Sequence, residues 1–144
     1  MEAGPVSEEK MTDAQTIASR FMEALNDRDF DALSRLVDED VAFDSLSGER
    51  TLGAGSLRSW MMNYLRHFDE SLSDIVLMRD AAGQRVAADT TARGTYRETL
   101  AGFPDASGQA YSIASVFVFE IEDGLITRLS QYRNIRLFER ELAG

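Results

Sequence analysis

Tyr111-Ser-Ile-Ala-Ser-Val-Phe-Val-Phe-Glu-Ile-Glu-Asp-Gly-Leu-Ile-Thr-Arg-Leu-Ser-Gln-Tyr-Arg-Asn134 reads as one long β-hairpin. β-Branched and aromatic residues fill both arms, and Glu122-Asp123-Gly124 between them has turn composition. Alternation along the first arm sends Tyr111, Ile113, Ser115, Phe117 and Phe119 to one face. Ser112, Ala114, Val116, Val118 and Glu120 go to the other, and its two valines leave that face apolar as well. A sheet apolar on both sides must be covered by another element or by a second subunit, so a homodimer through the outer sheet face is expected.

Working outward, two further strands precede the hairpin, Leu72–Arg79 and Arg85–Tyr96, joined by a turn at Ala81-Ala-Gly83. Residues 97–108 hold Gly102, Pro104 and Gly108 and read as a loop or lid carrying Leu100 and Phe103. Asp89, Thr91, Arg93 and Thr95 share one face of their strand. If that face lines the interior, Asp89 and Arg93 form a buried pair, with Arg93 able to hold a carboxylate or enolate oxygen; otherwise the face is solvated.

The first half of the chain is helical. Thr12-Asp-Ala-Gln15 is a capping box, and Ala14, Ile17, Ala18, Phe21, Ala24 and Leu25 form an apolar stripe. Asp29 caps a second helix with Phe30, Leu33, Leu36 and Val37 on its buried side. Val41–Leu46 is a short strand ending in the turn Ser47-Gly48-Glu49. Leu57, Trp60, Met61, Tyr64, Leu65 and Phe68 predict a third helix, and residues 137–142 a short terminal one. Gly53-Ala-Gly55 before the third helix is a turn rather than a dinucleotide fingerprint, since Arg58 stands where a third glycine belongs. Helices first and strands afterwards mean an α+β fold, with helices gathered on one face of a mainly antiparallel sheet.

Composition narrows the function. At 144 residues and 44% hydrophobic content the chain holds one domain, expected over residues 12–144 behind a flexible tail at 1–11. A net charge of −10 disfavours nucleic acid and anionic membrane surfaces as partners. Zero cysteines exclude disulfides, thiolate nucleophiles and sulfur-based zinc sites. One histidine and scattered carboxylates predict no metal site and no cofactor. With no long apolar run and no signal-peptide pattern, the chain is expected in the cytoplasm.

Several segments together carry a family resemblance: residues 21–29 (FMEALNDRD), 74–78 (DIVLM), 93–96 (RGTY), 108–111 (GQAY), 122–128 (EDGLITR) and 132–134 (YRN). Their order resembles the nuclear-transport-factor-2-like, or SnoaL-like, superfamily across residues 12–142, in particular ketosteroid-isomerase-related proteins. The resemblance implies a cone, a cystatin-like roll in which a curved sheet wraps around three N-terminal helices and leaves an apolar pocket. Alternation puts Thr127, Leu129, Gln131 and Arg133 on one face of the last strand, and the resemblance implies that this is the pocket face, so Gln131 either contacts a ligand or closes a hydrogen bond to Arg93 or a strand end. Steroid isomerases of this fold use an Asp base, a Tyr and a protonated Asp; by alignment those positions are Ser45, Phe21, and Ser115 or Val116. Limonene-type epoxide hydrolases are similar more distantly, and Arg93 matches their central Arg. Thr95 and Gln131 stand at their two Asp positions, and Phe43 and Ser45 at the water-positioning pair.

These readings assemble into an expected site. Asp44 lies beside the isomerase base position, and burial in an apolar pocket raises a carboxyl toward the general-base range. Asp44 or Asp89 moves the proton, and Arg93 and Gln131 stabilise charge on oxygen. Phe21, Trp60, Tyr64, Ile113 and Ser115 shape the cavity, while Tyr96 and Tyr111 flank the 97–108 loop with hydroxyls near its mouth. His67 lies off the helix-3 stripe and is a surface residue. The expected function is a cofactor-independent isomerase, cyclase or dehydratase acting on an apolar carbonyl, polyketide-like or steroid-like substrate. The alternative is a non-catalytic ligand-binding or dimeric interaction module of the same fold.

Overall fold

The computed structural model describes the backbone of residues 3–144 and the side chains of residues 14–144. The tail expected over 1–11 and the Thr12 cap lie outside the residues whose side chains are described. In chain order the elements are α1 (Ala3–Asp27), α2 (Phe30–Arg35), β1 (Val37–Asp44), β2 (Arg50–Leu52), α3 (Ala54–His67), β3 (Phe68–Arg79), β4 (Arg85–Tyr96), β5 (Ala110–Glu122), β6 (Leu125–Arg133) and α4 (Ile135–Ala143). The described strands form one curved, open sheet in the order β2-β1-β6-β5-β4-β3. β1 and β6 run parallel and the other neighbours antiparallel. This is the α+β cone, with the three expected helices and a terminal α4 that starts two residues before the predicted 137–142.

The β5–β6 hairpin forms as its composition predicts. Asp123 and Gly124 take φ of 51° and 78°, so both turn residues sit in the left-handed region that a two-residue hairpin loop requires. Its inward face carries Tyr111, Ile113, Ser115, Phe117 and Phe119, all buried. Helices α1 and α3 fill the concave side: Phe21 meets Phe119 edge-on at 5.5 Å, and Phe43 meets Trp60 at 4.9 Å. From Trp60 a column of stacked rings runs through Tyr64 and Phe68 to Tyr96, with centroids 5.2, 4.8 and 4.7 Å apart. The interior is therefore filled by aromatic side chains.

Two boundaries differ from the sequence reading. β1 begins at Val37 rather than Val41 and pairs with a short edge strand, β2, whose three residues are too few to show a period. α3 ends at His67, and β3 starts at Phe68, four residues earlier than predicted. Phe68 serves both patterns: it completes the helical stripe Leu57-Met61-Tyr64-Phe68 and opens the alternating row Phe68-Glu70-Leu72, all of them buried. Helix periodicity alone cannot see that handover.

The far end of the cone is closed by the 97–109 segment and α4. Tyr96 donates its hydroxyl to Pro104 O at 2.6 Å and accepts from Leu100 N at 2.9 Å. Gln109 Nε2 donates to Leu142 O at 2.8 Å, and Phe103 packs on both Phe68 and Phe138 at 5.8 Å.

Candidate functional site

Among the described residues one carboxylate, Glu70, lies inside this apolar interior, 5% exposed. An isolated charge there is prohibitively costly unless paired and hydrogen-bonded. Three inward-facing residues meet that requirement. Oε1 accepts from the Tyr64 hydroxyl at 2.8 Å, the Tyr111 hydroxyl at 2.7 Å and Arg133 Nη1 at 3.2 Å. Oε2 accepts from Arg133 Nη2 at 3.0 Å.

The Arg133 side chain is itself wholly buried. Its Nη1 also donates to the Tyr64 oxygen at 2.7 Å and its Nη2 to Ser115 Oγ at 3.2 Å; Gln131 Nε2 donates to the same Ser115 oxygen at 3.3 Å. The guanidinium lies 4.7 Å over the Phe138 ring, a cation–π contact beside an Nε that has no hydrogen-bond partner.

The electrostatics follow from enclosure. Burial pushes the Tyr64 phenol well above its ordinary value, and the adjacent Glu70 carboxylate pushes it further. Tyr111 is raised by the same two causes in the same order. Both phenols are thus protonated donors at any ordinary pH. Burial disfavours the Arg133 charge, but contact with Tyr64 and Glu70 outweighs it and holds the guanidinium above its usual value.

Backbone register makes the cluster possible. Glu70 on β3, Gly94 on β4 and Tyr111 on β5 are direct neighbours across the sheet. Gly94 contributes no side chain between them. A Cβ there would stand 2.6 Å from the Tyr111 hydroxyl oxygen and 2.7 Å from Asp69 O. Between α1, α3 and the sheet, Leu25, Met61, Tyr64, Leu65, Glu70, Phe117 and Gln131 enclose a residual space of about 10 Å³. That is room for roughly one water.

The sequence-derived candidates divide between the two faces. Tyr64, Tyr111, Ser115 and Gln131 come together in the cluster; Trp60 stacks on Tyr64, and Phe21 and Ile113 are buried in the inner wall. Tyr96 is on the inner face, but its hydroxyl holds the 97–109 segment in place. Three residues need correction. Asp44 follows the inward Phe43 and so projects outward, as alternation requires. There it accepts from Arg50 Nε and Nη2 at 2.6 and 2.9 Å and from Ser130 Oγ at 2.8 Å. The bond from Arg50 holds its carboxyl at about 2, with Ser130 assisting against a smaller opposing effect of burial. Its pKa is lowered rather than raised, and it faces away from the cone.

Asp89 and Arg93 also project outward and are exposed, because Val86, Ala88, Thr90 and Ala92 take the inward positions of β4. Arg93 pairs with Asp74 at 3.1 Å on the surface. Glu70 and Arg133, the buried charged pair of the cluster, were not among the site residues expected from the sequence. Glu70 fell in the gap between the predicted third helix and the next strand. Arg133 shared a face with Gln131, which was the available signal. Among the described residues no three His, Asp or Glu side chains gather where they could hold a metal ion. No described helix is long and apolar enough to cross a membrane.

A curved open sheet wrapped on helices, with a polar cluster inside an apolar interior, defines a cone-shaped α+β protein of the small-molecule-binding kind. The SnoaL-like domain profile matches residues 18–129, and the chain belongs to that family, within the nuclear-transport-factor-2-like superfamily. Among solved structures it is similar to a provisionally assigned polyketide cyclase of Xanthomonas campestris pv. campestris. They share 32% identity over 92% of this chain and 98% of that one, with a TM-score of 0.88. A second, from Pseudomonas putida KT2440, shows 34% identity over 90% and 98%, with a TM-score of 0.86. An epoxide hydrolase of the limonene type from Mycobacterium tuberculosis, at 19% identity over 91% and 85% and a TM-score of 0.72, shares the fold. No protein of curated function matches the chain.

Proposed function

We propose that the protein is a cofactor-independent acid–base enzyme of isomerase, cyclase or dehydratase type, acting on an apolar carbonyl compound of polyketide-like shape. One observation carries the reading: Glu70 lines the residual space with one oxygen saturated and the other not. Oε1 has three donors, whereas Oε2 has one and keeps lone-pair capacity for a proton. A substrate C–H next to the carbonyl breaks: its proton passes to Oε2, its electron pair becomes the new C=C bond, and the π pair of the C=O bond moves onto the carbonyl oxygen. Gln131, whose amide lines the same space, donates to that oxygen. The similar polyketide cyclases support the substrate class. Room for the substrate comes from movement of the unbranched or flexible Met61, Leu65 and Leu25 side chains.

The test needs no natural substrate. Exchange of the α protons of 2-tetralone into D2O, followed by NMR, reads C–H abstraction directly. The protein is expected to accelerate it, and Glu70→Gln to reduce the acceleration about 100-fold or more. Glu70→Asp, which keeps the charge but retracts the carboxylate, should be intermediate. Equal rates with and without protein sink the proposal. Quenching of Trp60, the only tryptophan, by 2-tetralone without exchange would instead assign the non-catalytic binding module.

The same outer face that carries Asp89 supports a homodimer. Val76, Asp89, Val116 and Tyr132 lie in one row across four strands, with Met78, Ala87 and Val118 in the next. Val76 and Tyr132 are each 57% exposed. A patch so placed matches a second copy of the chain. Light scattering should return a dimer mass for the wild type and a monomer mass for Val116→Arg; a monomeric wild type refutes it.

A further inference from the structure

β3 is an edge strand, and edge strands leave a row of unpaired backbone groups. Here the last turn of α1, with the link to α2, occupies that row. Asn26 bonds Leu72 as a neighbouring strand would: Nδ2 donates to Leu72 O at 2.9 Å, and Oδ1 accepts from Leu72 N at 2.8 Å. Two residues along each segment, Arg28 Nη2 donates to Glu70 O at 2.7 Å and pairs with Asp69 at 3.2 Å. Arg28 reaches this position from a φ of 59°, a conformation uncommon for a side-chain-bearing residue, and its Nη1 folds back onto Leu25 O at 3.0 Å.

The clip brackets the carboxylate. It seizes the backbone of Glu70 and of Leu72 from the side opposite β4. Leu25, adjacent to Asn26, lines the same space as Glu70. One turn therefore ties the α1 wall of the cleft to the strand that supplies the charged group. We infer that Asn26 and Arg28 are positioning residues that hold Glu70 at its place against the cleft, an inference that rests on Glu70 being the functional group proposed above. Edge protection alone would need no second, charged anchor on the carbonyl of Glu70 itself.

Asp29 provides the control. It lies in the same turn and caps α2, accepting from Ala32 N at 3.0 Å, and makes no hydrogen bond to β3. Two readouts are compared in Asn26→Leu, Arg28→Lys and Asp29→Ala: the 13C resonance of the Glu70 side-chain carboxyl in the free protein, and 2-tetralone affinity from Trp60 quenching. Asn26→Leu and Arg28→Lys are expected to move the Glu70 resonance and weaken 2-tetralone about tenfold, equivalent to one buried hydrogen-bonded contact. Asp29→Ala should leave both readouts unchanged while lowering the melting temperature. An unmoved Glu70 resonance in the first two variants overturns the inference, as does an equal displacement in Asp29→Ala. If one of the first two fails to fold, the other decides. Should the wild type neither bind 2-tetralone nor exchange its protons, the proposed function fails, while the Glu70 resonance still decides the positioning role.

Discussion

Arg133→Met is expected to destabilise the protein by about 3–5 kcal/mol, the range for breaking a buried ion pair by removing one partner. The effect is large because Glu70 and Arg133 are 5% and 0% exposed, so water cannot replace the lost guanidinium. Removing Arg133 strips both oxygens of a donor at once and leaves Oε2 with none. It also removes one of the two donors to Ser115 and empties the space over Phe138. Methionine refills that space without refilling the charge deficit. The decisive comparison is the double variant Glu70→Leu with Arg133→Met, in which neither charge remains. It should recover most of the loss and stand within about 2 kcal/mol of wild type, since a buried pair exchanged for apolar groups is often close to neutral. Urea unfolding at neutral pH measures both. A single variant losing less than about 1 kcal/mol would mean that the pair behaves as a surface ion pair does, contrary to its burial.

Gly94→Val is the second large effect, expected at about 3 kcal/mol from overpacking. The argument is steric. Gly94 is absent from the positive-φ glycines of the chain, so backbone conformation does not demand it. A glycine inside a strand weakens the strand unless something must approach closely. Here the Tyr111 ring crosses β4 over that missing side chain to reach Glu70, with its Cζ 2.8 Å from where a Cβ would stand. Asp69 O at 2.7 Å is main chain and cannot swing aside. Gly94→Ala should show a smaller loss of the same kind. Tyr111→Phe should not rescue either variant, because the ring carbon and the β3 carbonyl remain in the way. Wild-type unfolding free energy in Gly94→Val would show that β3 and β4 shift apart without penalty, and the account of Gly94 would be withdrawn.

The two effects share a cause that bears on reading sites from sequence. Legibility tracked periodicity. The β5–β6 hairpin was visible down to its turn residues and its inward set, because apolar and aromatic residues repeat there at period two. Period two put Ser115 in the aromatic row and Gln131 beside Leu129, and the family resemblance made the face that carries Gln131 the inner one. On β4 the pattern was equally regular, but it specified only that Asp89 and Arg93 share a face. Which face was inward depended on Ala88, Thr90 and Ala92, residues too small to announce a core. Asp44 failed for the opposite reason: alternation from Phe43 points it outward, and only a bulge beside it would turn it in. The register shift that β1 does contain lies between Val37 and Ala42, before Asp44.

Glu70 illustrates the limit most plainly. It stands two residues into a strand whose first residue also completes the apolar stripe of α3, so neither period is established around it in a local window. A buried glutamate is also what composition reasoning expects least. Its partners lie 6, 41 and 63 residues away along the chain, and no local pattern links them.

Sequence alone determined the α+β class, the hairpin with its two faces, and an interior with polar residues set into an apolar lining. Those follow from hydrophobic periodicity and turn chemistry, which act over a few residues. Only the tertiary structure decided which carboxylate is inside. That choice is made by desolvation and by donors converging from α3, β5 and β6, and a charge can be buried only where those distant partners meet it.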